Sequence, residues 1–155
     1  MRKSENIDHF NRVALVVFDR LYSQFPVAVD LSVAEIAEAA TPGSMPATPT
    51  YKDLEPTYEG IEFLSKEGFL TYSNAFLECT TFTTARLTLK GLAVLGQVPD
   101  SLEQKQTLIA RMRNVLAGGT KEAGAEAARQ LVVKALTLAP SVAATAVTAI
   151  NNAGG

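Results

Sequence analysis

Apolar residues near the start of the chain recur at steps of three and four. Ile7, Phe10, Ala14, Val17, Phe18, Leu21, Tyr22 and Phe25 share one face of a helix expected from about Glu5 to Gln24, and Pro26 ends it. Val27 to Leu31 is short and β-branched, as in a small strand. Ser32 opens a second helix, with Glu35 three residues on to complete a capping box. Val33, Ile36 and Ala37 face inward from it, and its pattern fades near Ala40.

Residues 41–50 hold three prolines and a glycine and read as an exposed loop. A third helix follows, with Asp53 as N-cap and Pro56 in the first turn, where a missing amide costs nothing. Leu54, Tyr58, Ile61 and Leu64 form its buried stripe, and Gly68 supplies a left-handed C-cap. Phe69 to Tyr72 and the Thr-rich run Thr80 to Leu89 then make an antiparallel β-hairpin with its tip within 73–79. A short helix from Leu89 to Gln97 closes this part.

A second group of helices is expected beyond it. Ser101 and Gln104 read as a capping box opening a helix to about Ala117, with Leu102, Leu108, Ile109, Met112, Val115 and Leu116 along its apolar stripe. Gly118-Gly119 breaks it. A further alanine-rich helix spans Lys121 to Leu138 and stops before Pro140. The pattern is that of a mainly helical protein with a small antiparallel hairpin.

Charge changes sign along the chain. Residues 1–100 carry eight basic and thirteen acidic side chains, net −5, whereas residues 101–155 carry six and three, net +3. The change falls at the turn-like Val98-Pro99-Asp100, which places a boundary between a domain over 1–99 and a C-terminal helical segment over 100–155. That segment is expected to pack on its own body or to form a homodimer, through a small-residue face that includes Leu131, Ala135 and Leu138.

The order helix, strand, helix, helix, hairpin, helix resembles the winged-helix superfamily. The likeness is carried by S-V-A-E-I-A-E-A-A (32–40), I-E-F-L-S-K-E-G-F-L (61–70) and F-T-T-A-R-L-T-L-K-G-L-A-V-L (82–95), and covers about residues 5–97. It implies a third helix placed for the DNA major groove and a wing placed for phosphate. Two departures stand out. The turn before the third helix is long, and the outward stripe of that helix is acidic. With Leu54, Tyr58, Ile61 and Leu64 inward, Glu55, Glu59, Glu62 and Lys66 lie outward, preceded by Asp53. A carboxylate a few ångströms from a phosphate is repelled by about 1 kcal/mol in water. DNA affinity rests instead on cations that release counterions. The basic candidates for that role are Arg86 and Lys90 near the wing and Lys105, Arg111 and Arg113 in the tail.

Catalytic chemistry is not legible. A single histidine, His9, and a single cysteine, Cys79, exclude a disulfide framework and leave no His- or Cys-based metal centre. Gly118-Gly119-Thr120-Lys121 lacks the full phosphate-loop spacing. The paired carboxylates have the spacing of a solvated helix face. Residues 131–150 match a membrane span in length, but six alanines and Pro140 argue against one, and no cleavable signal is read at the start. The expectation is a cytoplasmic, non-enzymatic binding module without cofactor or metal. It would act as an adaptor or an immunity/antitoxin-like protein whose acidic third-helix face meets a basic protein surface. The alternative is a dimeric DNA-binding transcriptional regulator.

Overall fold

The computed structural model describes residues 2–75, 80–96, 107–118 and 126–137. Its elements are α1 (Arg2–Gln24), β1 (Val29–Ser32), α2 (Val33–Ala40), α3 (Tyr51–Lys66), β2 (Leu70–Thr71), β3 (Asn74–Ala75), β4 (Thr81–Leu87), α4 (Leu89–Leu95) and α5 (Leu108–Gly118). A further helix, α6, spans 126–137. The fold is mainly helical with a small antiparallel sheet.

Strand β4 organises the sheet. On one side it pairs with β1, Leu31 opposite Phe82; on the other, β2 meets its C-terminal end and β3 its N-terminal part. The hairpin expected from the Thr-rich run is therefore present, with its β4 strand shared by β1. The β1 register shifts between Val29 and Leu31, and Thr84 opposite this irregularity has φ +50. Its amide donates to Asp30 Oδ1 at 2.9 Å, so the side chain replaces a ladder partner lost at the bulge.

Helix α3 crosses α1 and α2, and its inner face is wider than the four residues of the apolar stripe. Leu54, Ile61 and Leu64 are buried, and Thr57 and Gly60 are buried with them. Tyr58 is half-buried, its ring stacked on Phe82 at 4.8 Å, and Tyr72 meets the same Phe82 edge-on. Phe82 thus joins the sheet to α3.

The start of α3 corrects an expectation. Thr50 is the N-cap, and Asp53 is the third helical residue, accepting from the Thr50 amide and hydroxyl at 2.7 Å each. Those bonds hold the Asp53 carboxyl below its usual range. Pro56 accordingly lies in the second turn. At the other end Gly68 has φ +84, its amide donates to the Ser65 carbonyl and that of Phe69 to Leu64. This is a Schellman ending, with Phe69 and Leu64 both buried against the core.

The closing helix α4 begins under a tight junction. Thr88 accepts from the Gly91 amide at 3.1 Å and donates to the Gly68 carbonyl at 2.6 Å. Leu89, 79% exposed, is its outward residue.

The C-terminal helices share the core of the first hundred residues. Leu108, Ile109 and Met112 of α5 and Ala128, Leu131, Val132 and Ala135 of α6 belong to one buried cluster with Val13, Val17 and Phe18 of α1. The change of charge near 98–100 does not divide the hydrophobic core. In α5 the Thr107 hydroxyl accepts from the Ala110 amide at 3.3 Å, while the expected capping box at Ser101 and Gln104 lies outside the described residues. Leu116, placed on the buried stripe from the sequence, is 38% exposed.

Candidate functional site

The outward side of α3 carries two kinds of surface. One is the acidic ridge: Glu55 and Glu59 are exposed, and Glu62 is half-buried with its carboxylate 3.6 Å from Lys66 Nζ. Asp53, expected to share this ridge, is committed to the helix cap, so the ridge is shorter than the sequence implies. Within α3, Lys52 and Lys66 are the cations, one at each end, against four carboxylates.

The other surface is apolar and was not read from the sequence. Turning around α3 away from the ridge, Pro56, Gly60 and Phe63 face Ile7 and Phe10 of α1 across an open groove of about 470 Å³. Phe63 is 45% exposed and packs edge-on against Phe10, ring centroids 5.4 Å apart. Ile7, expected on the buried face of α1, is 51% exposed. At Gly60 a Cβ would stand 3.4 Å from Phe10 and 3.5 Å from Val13, so the absent side chain lets the two helices approach. A signal was present: Phe63 is a large aromatic on the polar side of the predicted helix, next to Glu62.

His9 and Glu59 complete the groove wall. His9 Nε2 is hydrogen-bonded to Thr57 Oγ1 at 2.9 Å, a pairing that satisfies the fully buried threonine. Burial first, and the Arg12 guanidinium second, hold the His9 pKa below its ordinary value. In the unfolded chain the ring takes up a proton near its ordinary pKa of about 6.5, whereas the folded chain resists until lower pH. Stability from this group is therefore complete above that value and is lost as pH falls through the folded pKa. In His9→Gln the loss of melting temperature between pH 7 and pH 5 should be smaller than in the wild type; equal slopes would deny the coupling.

The basic candidates are dispersed rather than gathered into one patch. Arg113 of α5 turns back on α1: its Nε donates to Asp19 Oδ1 at 2.6 Å, its Nη2 to Ser23 Oγ at 2.8 Å, and the guanidinium lies over the Tyr22 ring. A double-mutant cycle of Asp19→Ala and Arg113→Ala should give a coupling of about 0.5–1 kcal/mol, as befits a partly exposed pair. Zero coupling would show that the Asp19 pair contributes nothing to the docking of α5. Lys90 Nζ donates to the Glu67 carbonyl at 2.7 Å, at the end of α3 where the helix dipole favours a cation, and sits 4.9 Å from the Phe69 ring centroid. Arg86 is exposed on β4, Arg111 is half-buried on α5, and Lys105 lies outside the described residues.

The small-residue face of the tail is used within the chain. Leu131 and Ala135 are buried in its own core; Leu138 lies outside the described residues. Among the described residues no group of three metal-ligating side chains is gathered, and no helix is long and apolar enough to cross a membrane. Cys79 and residues 138–150 lie outside them.

Comparison with known proteins identifies no relative: no family model, curated protein or solved structure matches the chain.

Proposed function

We propose that this protein is a non-enzymatic binding module that engages another protein through the outward face of α3, in the manner of an adaptor or an immunity/antitoxin-like protein. The observation that carries this reading is the exposure of Glu55 and Glu59 on the helix that a winged-helix-like arrangement would turn toward its ligand. The order of elements from α1 to α4, with β1 beside the hairpin, supports that arrangement. Two of the five basic candidates for a DNA surface are turned to other work: Arg113 bonds α5 to α1, and Lys90 caps α3. A negative face of this kind speeds encounter with a basic partner and rejects phosphate-rich ligands.

The double variant Glu55→Lys/Glu59→Lys tests the reading. Both side chains are exposed, so the fold should persist. The variant should weaken the complex with the native partner protein at least about tenfold. It should also bind random duplex DNA more tightly at low salt than the wild type does. Tight, steeply salt-dependent DNA binding by the wild type, lost in this variant, would favour the regulator instead.

A further inference from the structure

The groove between α1 and α3 has the shape and charge of a receptor for a helix. We infer that it binds an amphipathic helical segment of a partner protein, one that carries a row of bulky apolar side chains flanked by lysine or arginine. This inference rests on the reading of α3 as a protein-binding face and specifies its partner.

The floor and walls set the apolar part. Ile7 and Phe63 are about half exposed, and with Phe10, Pro56 and Gly60 they form one continuous apolar strip between two helices. The volume, about 470 Å³, admits several large side chains, and the groove is open along the surface rather than enclosed. Gly60 deepens it by omitting a side chain where the helices converge.

Backbone chemistry selects the conformation of the occupant. Both walls are α-helices, bonded along their own axes except where Pro56 lacks an amide, so the groove has no strand edge for an extended peptide to pair with. Only side-chain contacts are on offer. A segment that satisfies its own backbone, with anchors at i, i+3 or i+4 and i+7, suits such a groove.

The rim sets the charge. Glu59 stands in the wall, Glu55 lies one turn back along α3, and Glu5 is exposed on α1. Lys66 is paired with Glu62, burial and then Arg12 disfavour the protonated form of His9, and Lys52, one turn before Pro56, is the cation at the N-terminal end of this side of α3. Basic residues beside the apolar anchors would therefore meet carboxylates on the α3 side.

The test is a displayed library of random helical peptides of roughly 14 residues, spanning about 20 Å, selected on the full-length chain. Selected peptides should combine apolar anchors at helical spacing with lysine or arginine. By fluorescence anisotropy, Phe63→Ser and Ile7→Ser should each weaken their binding about tenfold or more, as central anchors do. Both side chains are half exposed, and circular dichroism and melting temperature check that the variants fold. No enrichment, an acidic or extended consensus, or binders indifferent to both substitutions would overturn the inference. So would concentration-dependent self-association abolished by Phe63→Ser, which would assign the groove to a second copy. If Glu55→Lys/Glu59→Lys disrupts the native complex while Phe63→Ser and Ile7→Ser do not, the acidic-face reading stands and the groove proposal fails. If the groove variants alone disrupt it, the apolar anchors are real but the basic flanks are not, and the inference fails as stated.

Discussion

Gly91→Ala should destabilise the fold by about 3 kcal/mol or more, lowering the melting temperature by roughly 10 °C. Gly91 lies in the first turn of α4, where that helix is pressed against the backbone at the start of β2. A Cβ built there would stand 2.3 Å from the Phe69 carbonyl oxygen and 3.2 Å from Leu87 Cδ2. The first contact is with backbone, so no rotamer change relieves it. That same carbonyl accepts from the Thr88 amide at 3.1 Å, while the Thr88 hydroxyl binds the Gly91 amide and the Gly68 carbonyl. Moving α4 outward would strain this junction and the end of α3 together. Gly43 offers the control for space alone: a Cβ there meets nothing within 4 Å, although its φ of +77 adds some backbone strain. Thermal unfolding followed by circular dichroism distinguishes the two. A melting point for Gly91→Ala within a degree or two of wild type would show that the helix can shift freely.

Phe82→Ala should cost about 3–5 kcal/mol, the range found when a buried aromatic is removed. Phe82 has no solvent exposure and is the second residue of β4, opposite both Leu31 of β1 and Ala75 of β3. Its ring also holds Tyr58 and Tyr72 at 4.8 Å each, and such pairs add about 0.5–1.5 kcal/mol beyond burial. The loss therefore reaches the sheet and α3 at once, and it should loosen the outward face of α3 as well. Denaturant titration gives the size of the effect. Phe82→Leu, which keeps part of the volume, should fall well short of it; equal losses would mean that the aromatic contacts rather than the buried volume carry the stabilisation. A cost below about 1 kcal/mol for the alanine variant would be too small for a buried ring and would contradict this packing.

The long elements were legible because their periodicity is strong. The stripe of α1, the short α2 before the proline-rich loop and the inward phase of Leu54, Ile61 and Leu64 all follow from helical spacing. Local chemistry could be misassigned by one turn: Thr50 and Asp53 are both good caps, and the structure uses Thr50 as the cap with Asp53 reaching back to it. That choice moved Pro56 into the second turn and took Asp53 out of the acidic ridge. Periodicity also says which face of a helix is apolar, not how far along its length a neighbour covers it. Ile7 belongs to the apolar face of α1 by phase, yet stands half exposed where it helps to form the groove.

Contacts between distant segments left no mark in the sequence. Arg113 and Asp19 are 94 positions apart, and nothing local foretells that one clamps the other. Lys90 reads as a cation near a wing, whereas its ammonium is bonded to the carbonyl of Glu67, 23 positions earlier. The alanine-rich face of α6 was expected to seek another helix, and it is buried in the core shared with α1. In each case the residue type was informative about the chemistry and silent about the partner.

Site-specific photo-crosslinking in cells, with the reactive group placed at position 59 and, separately, at position 86, tests the central claim most directly. An α3 face built to meet protein should give a discrete protein adduct from position 59 and little nucleic-acid adduct from either position. Efficient crosslinking of nucleic acid from position 59, or from position 86 with no protein captured at 59, would contradict it.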